Sequence, residues 1–308
     1  MEGPQFWILR LGELTLKSRP VRKHFQNSME QGMLELAINA GIDLHIEHKG
    51  ALAIASSHSP TEAVEDVFCH CFGLQSVERA IMCPAEPAEV AKVALSIDED
   101  KGTPRTFGVA TKRSGVKGDW GSQDFSGMIG HHMLEGDESL SVNLGNPDYP
   151  VRVILTKNEA WLLQQKVNCP SGLPIGVQGL VKARIDSRDI CLSAWQLMRR
   201  GCRIVAVEGS LEEYLEQLAK WDSTISSPQL ALRSKSGPGR NRGIIWGRIG
   251  NEIEVQLPEG AKNTPFSTLD PMCAWSESEK EQLFAHICNP TSCARPSYDN
   301  DMLTAWIA

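Results

Sequence analysis

The sequence predicts an α+β N-terminal part followed by a smaller α/β part, and three observations carry that prediction. Strand-like and helix-like segments alternate as βαββαβ over residues 6–82. A second alternation of helices and strands runs to residue 166. A break dense in Gly and Pro at residues 169–179 (CPSGLPIGVQG) then precedes a βαβα run of the kind that starts a parallel sheet.

Residues 6–11 (FWILRL) read as a buried strand. Ser18 and Pro20 introduce a helix to about Asn39, whose apolar positions Phe25, Met29, Met33 and Leu36 recur at helical spacing. Two short strands follow near residues 42–46 and 51–55. Ser59, Pro60 and Glu62 read as a capping box with proline in the first turn of a second helix, its buried stripe being Val64, Val67, Phe68 and Cys71. A strand at 76–82 closes the pattern, an antiparallel sheet with helices on one face. The second alternation comprises a helix at 86–97, a strand at 106–112, a helix at 125–134 and strands at 151–156 and 161–166, with Asn158 and Glu159 turning the last hairpin. Beyond the break come a strand at 180–184, a helix at 189–200, a strand at 203–207 and a helix at 211–221. Residues 222–248 are rich in Ser, Gly, Pro and Arg and predict a long exposed loop.

Composition excludes several classes. With 308 residues, 41% hydrophobic and 22% charged, the chain is neither disordered nor fibrous. No apolar run reaches the roughly 18 residues of a membrane span, and the first residues lack a signal-peptide pattern, so a cytoplasmic protein with no membrane partner is expected. Nine scattered cysteines suit reduced thiols better than a disulfide framework. A net charge of −7 repels phosphates at long range, so any nucleic-acid binding must use local clusters. Candidates are Arg19, Arg22, Lys23 and His24; Lys112, Arg113 and Lys117; and Arg233, Lys235, Arg240 and Arg242, each of which also reads as a solvated face.

Five strings are more specific: RLGELTLKSRPVRKHF (10–25), TFGVATKR (106–113), LGNPDYPVRV (144–153), GLPIGVQG (172–179) and AWQLMRRGC (194–202). In order and spacing they resemble the tRNA 4-thiouridine synthetase (tRNA sulfurtransferase) family, which is also linked to thiamine biosynthesis. The resemblance covers residues 1–205 well and the remainder weakly. It implies a ferredoxin-like N-terminal domain (1–60), a THUMP domain that binds RNA (61–168), a linker (169–179) and a PP-loop ATP-pyrophosphatase domain (180–308), which is short here. It also implies tRNA as partner, with Lys112, Arg113 and Lys117 beside a small-residue loop, and Arg22 and Lys23 at a helix start, as RNA-binding residues. Asn146, Pro147 and Asp148 read instead as a tight turn.

The family's phosphate-cradling loop has the form Ser-Gly-Gly-x-Asp-Ser, because backbone N–H groups must lie against a pyrophosphate at a helix N-terminus. The aligned residues here are 185–190, which keep only Asp189 and neither glycine. Asp186 in a glycine's place puts a carboxylate near the triphosphate, a repulsion of about 4 kcal/mol at about 4 Å and an effective dielectric of about 20. Arg184, Ser187, Arg188 and Asp189 are the remnant nucleotide-binding candidates, with ATP binding weakened rather than excluded.

The expectation is a tRNA-binding protein of tRNA thiolation that performs no adenylation alone, with no catalytic residue assigned. Two alternatives stay open. One is an active ATP-dependent tRNA sulfurtransferase with Cys202, Cys288 or Cys293 as sulfur carrier; the other is a tRNA-binding adaptor for a separate modification enzyme or sulfur donor, with a homodimer allowed. Cys273, His286, Cys288 and Cys293 lack paired C-x-x-C spacing, so no metal is expected.

Overall fold

The computed structural model describes residues 3–12, 18–116, 118–233, 245–249 and 267–296. Strand β1 (Gln5–Leu11) buries Trp7, Ile8 and Leu9, so both of its faces are covered. Helix α1 (Arg19–Asn39) buries Phe25, Met29, Met33 and Ala37, one residue per turn. The β2 (His45–Lys49) and β3 (Leu52–Ser57) hairpin turns at Gly50, whose φ of +66° favours glycine. β3 pairs antiparallel with both β2 and β1, with Ile8 opposite Ile54.

Helix α2 (Thr61–Cys69) departs from the expected capping box. Pro60 takes the N-cap position without a side-chain cap, and Ser59, one residue outside, donates its N–H to Ser57 Oγ at 3.0 Å. The helix buries Cys69, and Cys71 is buried beyond its end. After it come β4 (Leu74–Pro84), α3 (Pro87–Ser96), β5 (Arg105–Arg113), α4 (Ser122–Gly136), β6 (Leu140–Val142), β7 (Tyr149–Leu155) and β8 (Glu159–Asn168).

β1 to β8 form one eight-stranded sheet in the order β2-β3-β1-β4-β8-β7-β5-β6. β5 pairs in parallel with β7 and β6, while β7 and β8 form an antiparallel hairpin, so the sheet is mixed. β6 is only three residues long at the sheet edge, too short for a period-2 signal, and the sequence reading omits it. Phe107, Phe125, Ile129, Met133, Val151, Val153 and Leu162 form a core with residues of α3 and α4. Ile8, Leu52, Ile54, Ala80, Ile154 and Trp161 form a second cluster. At its side Glu78, 6% exposed, accepts hydrogen bonds from Arg10 (2.8 Å) and Arg152, whose side chains are 38% and 40% exposed. That triad reaches from β1 across β4 and β8 to β7.

Contacts divide the chain into two compact units: residues 1–10, 44–59 and 77–167, and residues 11–43, 60–76 and 168–308. The second unit contains α1, α2 and a parallel sheet built from β9 (Gly179–Ala183), β10 (Cys202–Ala206), β11 (Ile245–Ile249) and β12 (Ser267–Leu269), in the order β10-β9-β11-β12. Its helices are α5 (Arg188–Arg199), α6 (Glu212–Ala219), α7 (Pro228–Arg233) and α8 (Glu277–Cys288). Phe72, Leu192, Trp195, Met198, Trp221 and Ile287 are among its buried residues. Trp195 and Trp221 meet edge to face at 5.2 Å, and Trp221 Nε1 donates to Ile287 O at 3.1 Å.

The segment 169–179 is packed rather than slack. Gly172 has φ +79°, and a Cβ there would stand 2.3 Å from Arg199 O; Leu173 N–H donates to the same carbonyl at 2.9 Å. The long loop expected over residues 222–248 contains structure instead: a 3-10 turn at Ser223–Ser226, then α7 and β11, with residues 234–244 outside those described. Asp222 starts the turn by accepting from Thr224 N–H at 3.0 Å, a cap concealed in a polar stretch. No helix among the described residues is long and apolar enough to cross a membrane.

Candidate functional site

The first candidate region lies where β5 runs out of the sheet. Lys112 and Arg113 stand opposite Ile154 and Leu155 of β7, and Ser114 N–H extends the ladder to Leu155 O at 2.9 Å. The chain then turns through Gly115 (φ +82°). Gly118 passes so close to residue 157 that a Cβ would meet Lys157 O at 2.8 Å. Lys112 is exposed. Arg113 is half-buried and donates to Trp120 O, and Trp120 meets the buried Phe125 edge to face at 6.0 Å. Arg113 thus holds the 114–120 loop to the start of α4, and Lys112 is left facing solvent. Lys117, in the same loop, lies outside the described residues.

Thr111 N–H donates to Ser126 Oγ (3.1 Å), which itself donates to Thr111 Oγ1 (2.8 Å), fixing α4 against β5. The turn at 143–148 is structural: Asn143 Oδ1 accepts from Gly145 N–H at 3.0 Å, and Asp148 accepts from the N–H and hydroxyl of Thr106 at 2.9 and 2.6 Å. Those bonds hold the Asp148 carboxyl below the usual carboxylate range. Arg22 and Lys23 are exposed in the first turns of α1, in the other compact unit.

The second region is the turn from β9 into α5. β9 has β10 on one side and β11 on the other, so the chain reverses its winding direction here, and ligands of open parallel sheets bind beyond the strand ends at such a point. The turn contains no glycine. Ile185 is fully buried, its N–H donates to Ser210 Oγ at 3.0 Å, and its carbonyl accepts from Leu211 N–H at 2.8 Å. Ser187 is the N-cap of α5, and its hydroxyl accepts from Ile190 N–H at 3.5 Å. The neighbouring charges are engaged by α8: Lys280 Nζ lies 2.6 Å from Asp189 Oδ2 and 3.1 Å from Glu277 Oε1, and Arg188 donates to Glu277. The Asp189 and Glu277 carboxylates raise the Lys280 pKa, and Lys280 with Arg188 lowers that of Glu277. Asp186 is exposed.

The structure therefore brings Arg188 and Asp189 together with two partners the sequence reading missed, Glu277 and Lys280. The one signal near them was Ser276–Glu279, a capping box that the structure forms and that marked only the start of a helix. Among the cysteines considered as sulfur carriers, Cys202 is buried and its thiol is pushed up to about 12, and burial raises Cys288 as well. Among the described residues, no group of three or more His, Cys, Asp or Glu is placed to hold a metal ion.

The family model described as THUMP domain matches residues 85–163, which run from the start of α3 into β8. Over 221 residues the chain is 30% identical to a probable tRNA sulfurtransferase of Thermococcus kodakarensis, covering 69% of this chain and 58% of that protein. Probable tRNA sulfurtransferases of Methanocaldococcus jannaschii (28% over 222 residues, 69% and 58% covered) and Bacillus pumilus (26% over 254 residues, 82% and 63% covered) are similar too. The chain thus spans a little under two thirds of these relatives' length. A crystal structure from Pyrococcus horikoshii Ot3 shares the fold with a TM-score of 0.68 at 19% identity, covering 92% of this chain and 99% of that one. A 4-thiouridine synthetase solved as an RNA complex with bound ATP superposes with a TM-score of 0.65 at 17% identity, covering 98% and 94%. Ferredoxin-like and THUMP elements on one sheet, with a Rossmann-like parallel sheet in the second unit, agree with these likenesses in fold, and the chain belongs to the tRNA sulfurtransferase family.

Proposed function

We propose that this protein binds tRNA through its THUMP region and serves tRNA thiolation without adenylating the uridine itself. The observation that carries the second part is the β9–α5 turn. A phosphate cradle needs free N–H groups and close backbone approach. Here Ile185 N–H is taken by Ser210, Ile190 N–H by Ser187, and glycine is absent. Arg188 and Asp189 are paired to α8, so a triphosphate would have to displace an ion network as well as meet Asp186. These residues do not fit the group, and no chemical step is assigned to ATP here. Support for RNA binding comes from the THUMP match and from Lys112, exposed beside a glycine turn where an ammonium can reach phosphate oxygens.

The test uses purified protein, labelled ATP and unmodified tRNA, with tRNA binding measured on the same sample. The expected result is tRNA binding without tRNA-dependent release of AMP and pyrophosphate. Tight binding accompanied by AMP release would make the chain an active ATP-dependent sulfurtransferase and overturn the reading of the turn. Absence of tRNA binding would overturn the first part.

A further inference from the structure

The structure sorts the cysteines by surroundings. Cys71, Cys191 and Cys202 are buried and their thiols are pushed up to about 12; Cys83 is pushed up to about 11. Such thiols stay protonated at neutral pH and are poor nucleophiles. Cys69 differs. It ends α2, is 2% exposed, and its Sγ lies 3.8 Å from Asn168 O. Its thiol also shares a hydrogen bond with the thiol of Cys169, and that bond holds Cys69 below the ordinary cysteine range despite burial and the nearby Asp66 and Glu65.

Backbone hydrogen bonds hold the two segments that carry these cysteines together. Cys169 N–H donates to Gln75 O at 2.9 Å, Ser171 N–H to Leu74 O at 2.8 Å, and Gly73 N–H to Ser171 O at 3.0 Å. The segment carrying Cys169 is therefore laced to the chain a few residues beyond Cys69, within one compact unit. Cys169 is half-exposed, so one sulfur of the pair meets solvent and the other sits behind it.

We propose that Cys69 and Cys169 form a reversible dithiol–disulfide site whose reaction partner is a small disulfide, with Cys169 attacking and Cys69 resolving. Cys169, the sulfur that meets solvent, passes its proton to the Cys69 thiolate it is hydrogen-bonded to and attacks one sulfur of the small disulfide, whose S–S bond breaks and expels one thiolate with the bonding pair; that thiolate takes the proton from Cys69 and leaves as a thiol. The Cys69 thiolate then attacks the Cys169 sulfur of the mixed disulfide. The Cys69–Cys169 bond forms, and the second small thiolate leaves and is protonated in turn. Two protein thiols are oxidised and one small disulfide is reduced to two thiols. This inference does not depend on the proposed function.

The experiment incubates the full chain with glutathione disulfide, quenches in acid, blocks free thiols with N-ethylmaleimide and maps tryptic peptides without reduction. A cross-link between the peptides spanning 50–79 and 167–182 is expected, together with loss of two alkylatable thiols, and reduction should reverse both. Because Cys71 shares the first peptide, Cys71→Ser must keep the cross-link. Cys69→Ser should stall as a glutathione adduct on Cys169, and Cys169→Ser should leave Cys69 unmodified. A lasting glutathione adduct on Cys169 in the unmutated protein, a cross-link that vanishes in Cys71→Ser, or modification of exposed Cys273 with both members of the pair still free would each overturn the proposal.

Discussion

Replacing Glu78 with Gln tests what joins the N-terminal strands to the THUMP strands. The substitution keeps the shape and removes the charge that Arg10 and Arg152 share. Burial alone would push the Glu78 carboxyl up, but hydrogen bonds and charge from Arg10, then Arg152, outweigh it and hold it below the usual range. A hydrogen bond to a charged group contributes about 1.5–3 kcal/mol. Both guanidiniums are more than a third exposed and regain water when released, so the low end of that range applies, and the retained Gln oxygen still accepts one bond. The expected loss is about 2 kcal/mol. With a urea dependence of about 2 kcal/mol per molar, the midpoint falls by about 1 M. Hydrogen exchange should quicken first in β4 and β7, the strands the triad ties across β8. The charge stabilises the fold above the unfolded carboxyl pKa of about 4.3, and the benefit disappears as pH falls through the lowered folded value, so Glu78→Gln and the unmutated protein should converge in acid. A midpoint shift below about 0.3 M at neutral pH would mean that water already screens both arginines, and the reasoning would fail.

Further outcomes follow from the same geometry. Lys112→Ala should leave stability within about 0.5 kcal/mol, because an exposed strand-end side chain is removed, yet weaken tRNA binding and reduce its logarithmic salt slope by about one unit in a filter assay. Arg113→Ala should behave differently, costing about 1–2 kcal/mol in urea unfolding because the Trp120 carbonyl loses its donor. Mild acid should destabilise the second unit: burial pushes the pKa of His70 and of His286 down, against Asp66 beside His70, and with Lys220 near His70 and Arg295 and Arg199 near His286 pushing the same way as burial. The unfolded imidazoles take up protons below about pH 6.5 that the folded ones refuse, so stability falls from there down to the folded values. Urea midpoints at pH 7.5, 6.5 and 5.5 should decline, with a smaller decline in His70→Gln; a flat series would refute the assignment.

What could be read along the chain was what repeats locally. FWILRL, the spacing of Phe25, Met29 and Met33, and the run from residue 180 each carry their own periodicity, and the structure places a strand, a helix and the β9–α5–β10 unit there. Residues 222–248 read as a loop because the turn, α7 and β11 there are marked only by the Asp222 side chain capping Thr224 inside a Ser-, Gly-, Pro- and Arg-rich stretch, where composition alone suggests a loop.

By itself, the sequence determined the order of elements from β1 to α6 apart from β6, the family, and the missing glycines of the β9–α5 turn, because each of these is written in consecutive residues. Tertiary structure alone decided which side chains meet. Arg10 reaches Glu78 across 68 residues, Glu277 and Lys280 reach Arg188 and Asp189 across 89 and 91, and Asn168, beside Cys169, meets Cys69 across 99. No local pattern encodes such distances. They arise when strands register and helices bury their apolar faces, which brings charges and thiols from remote parts of the chain within bonding range.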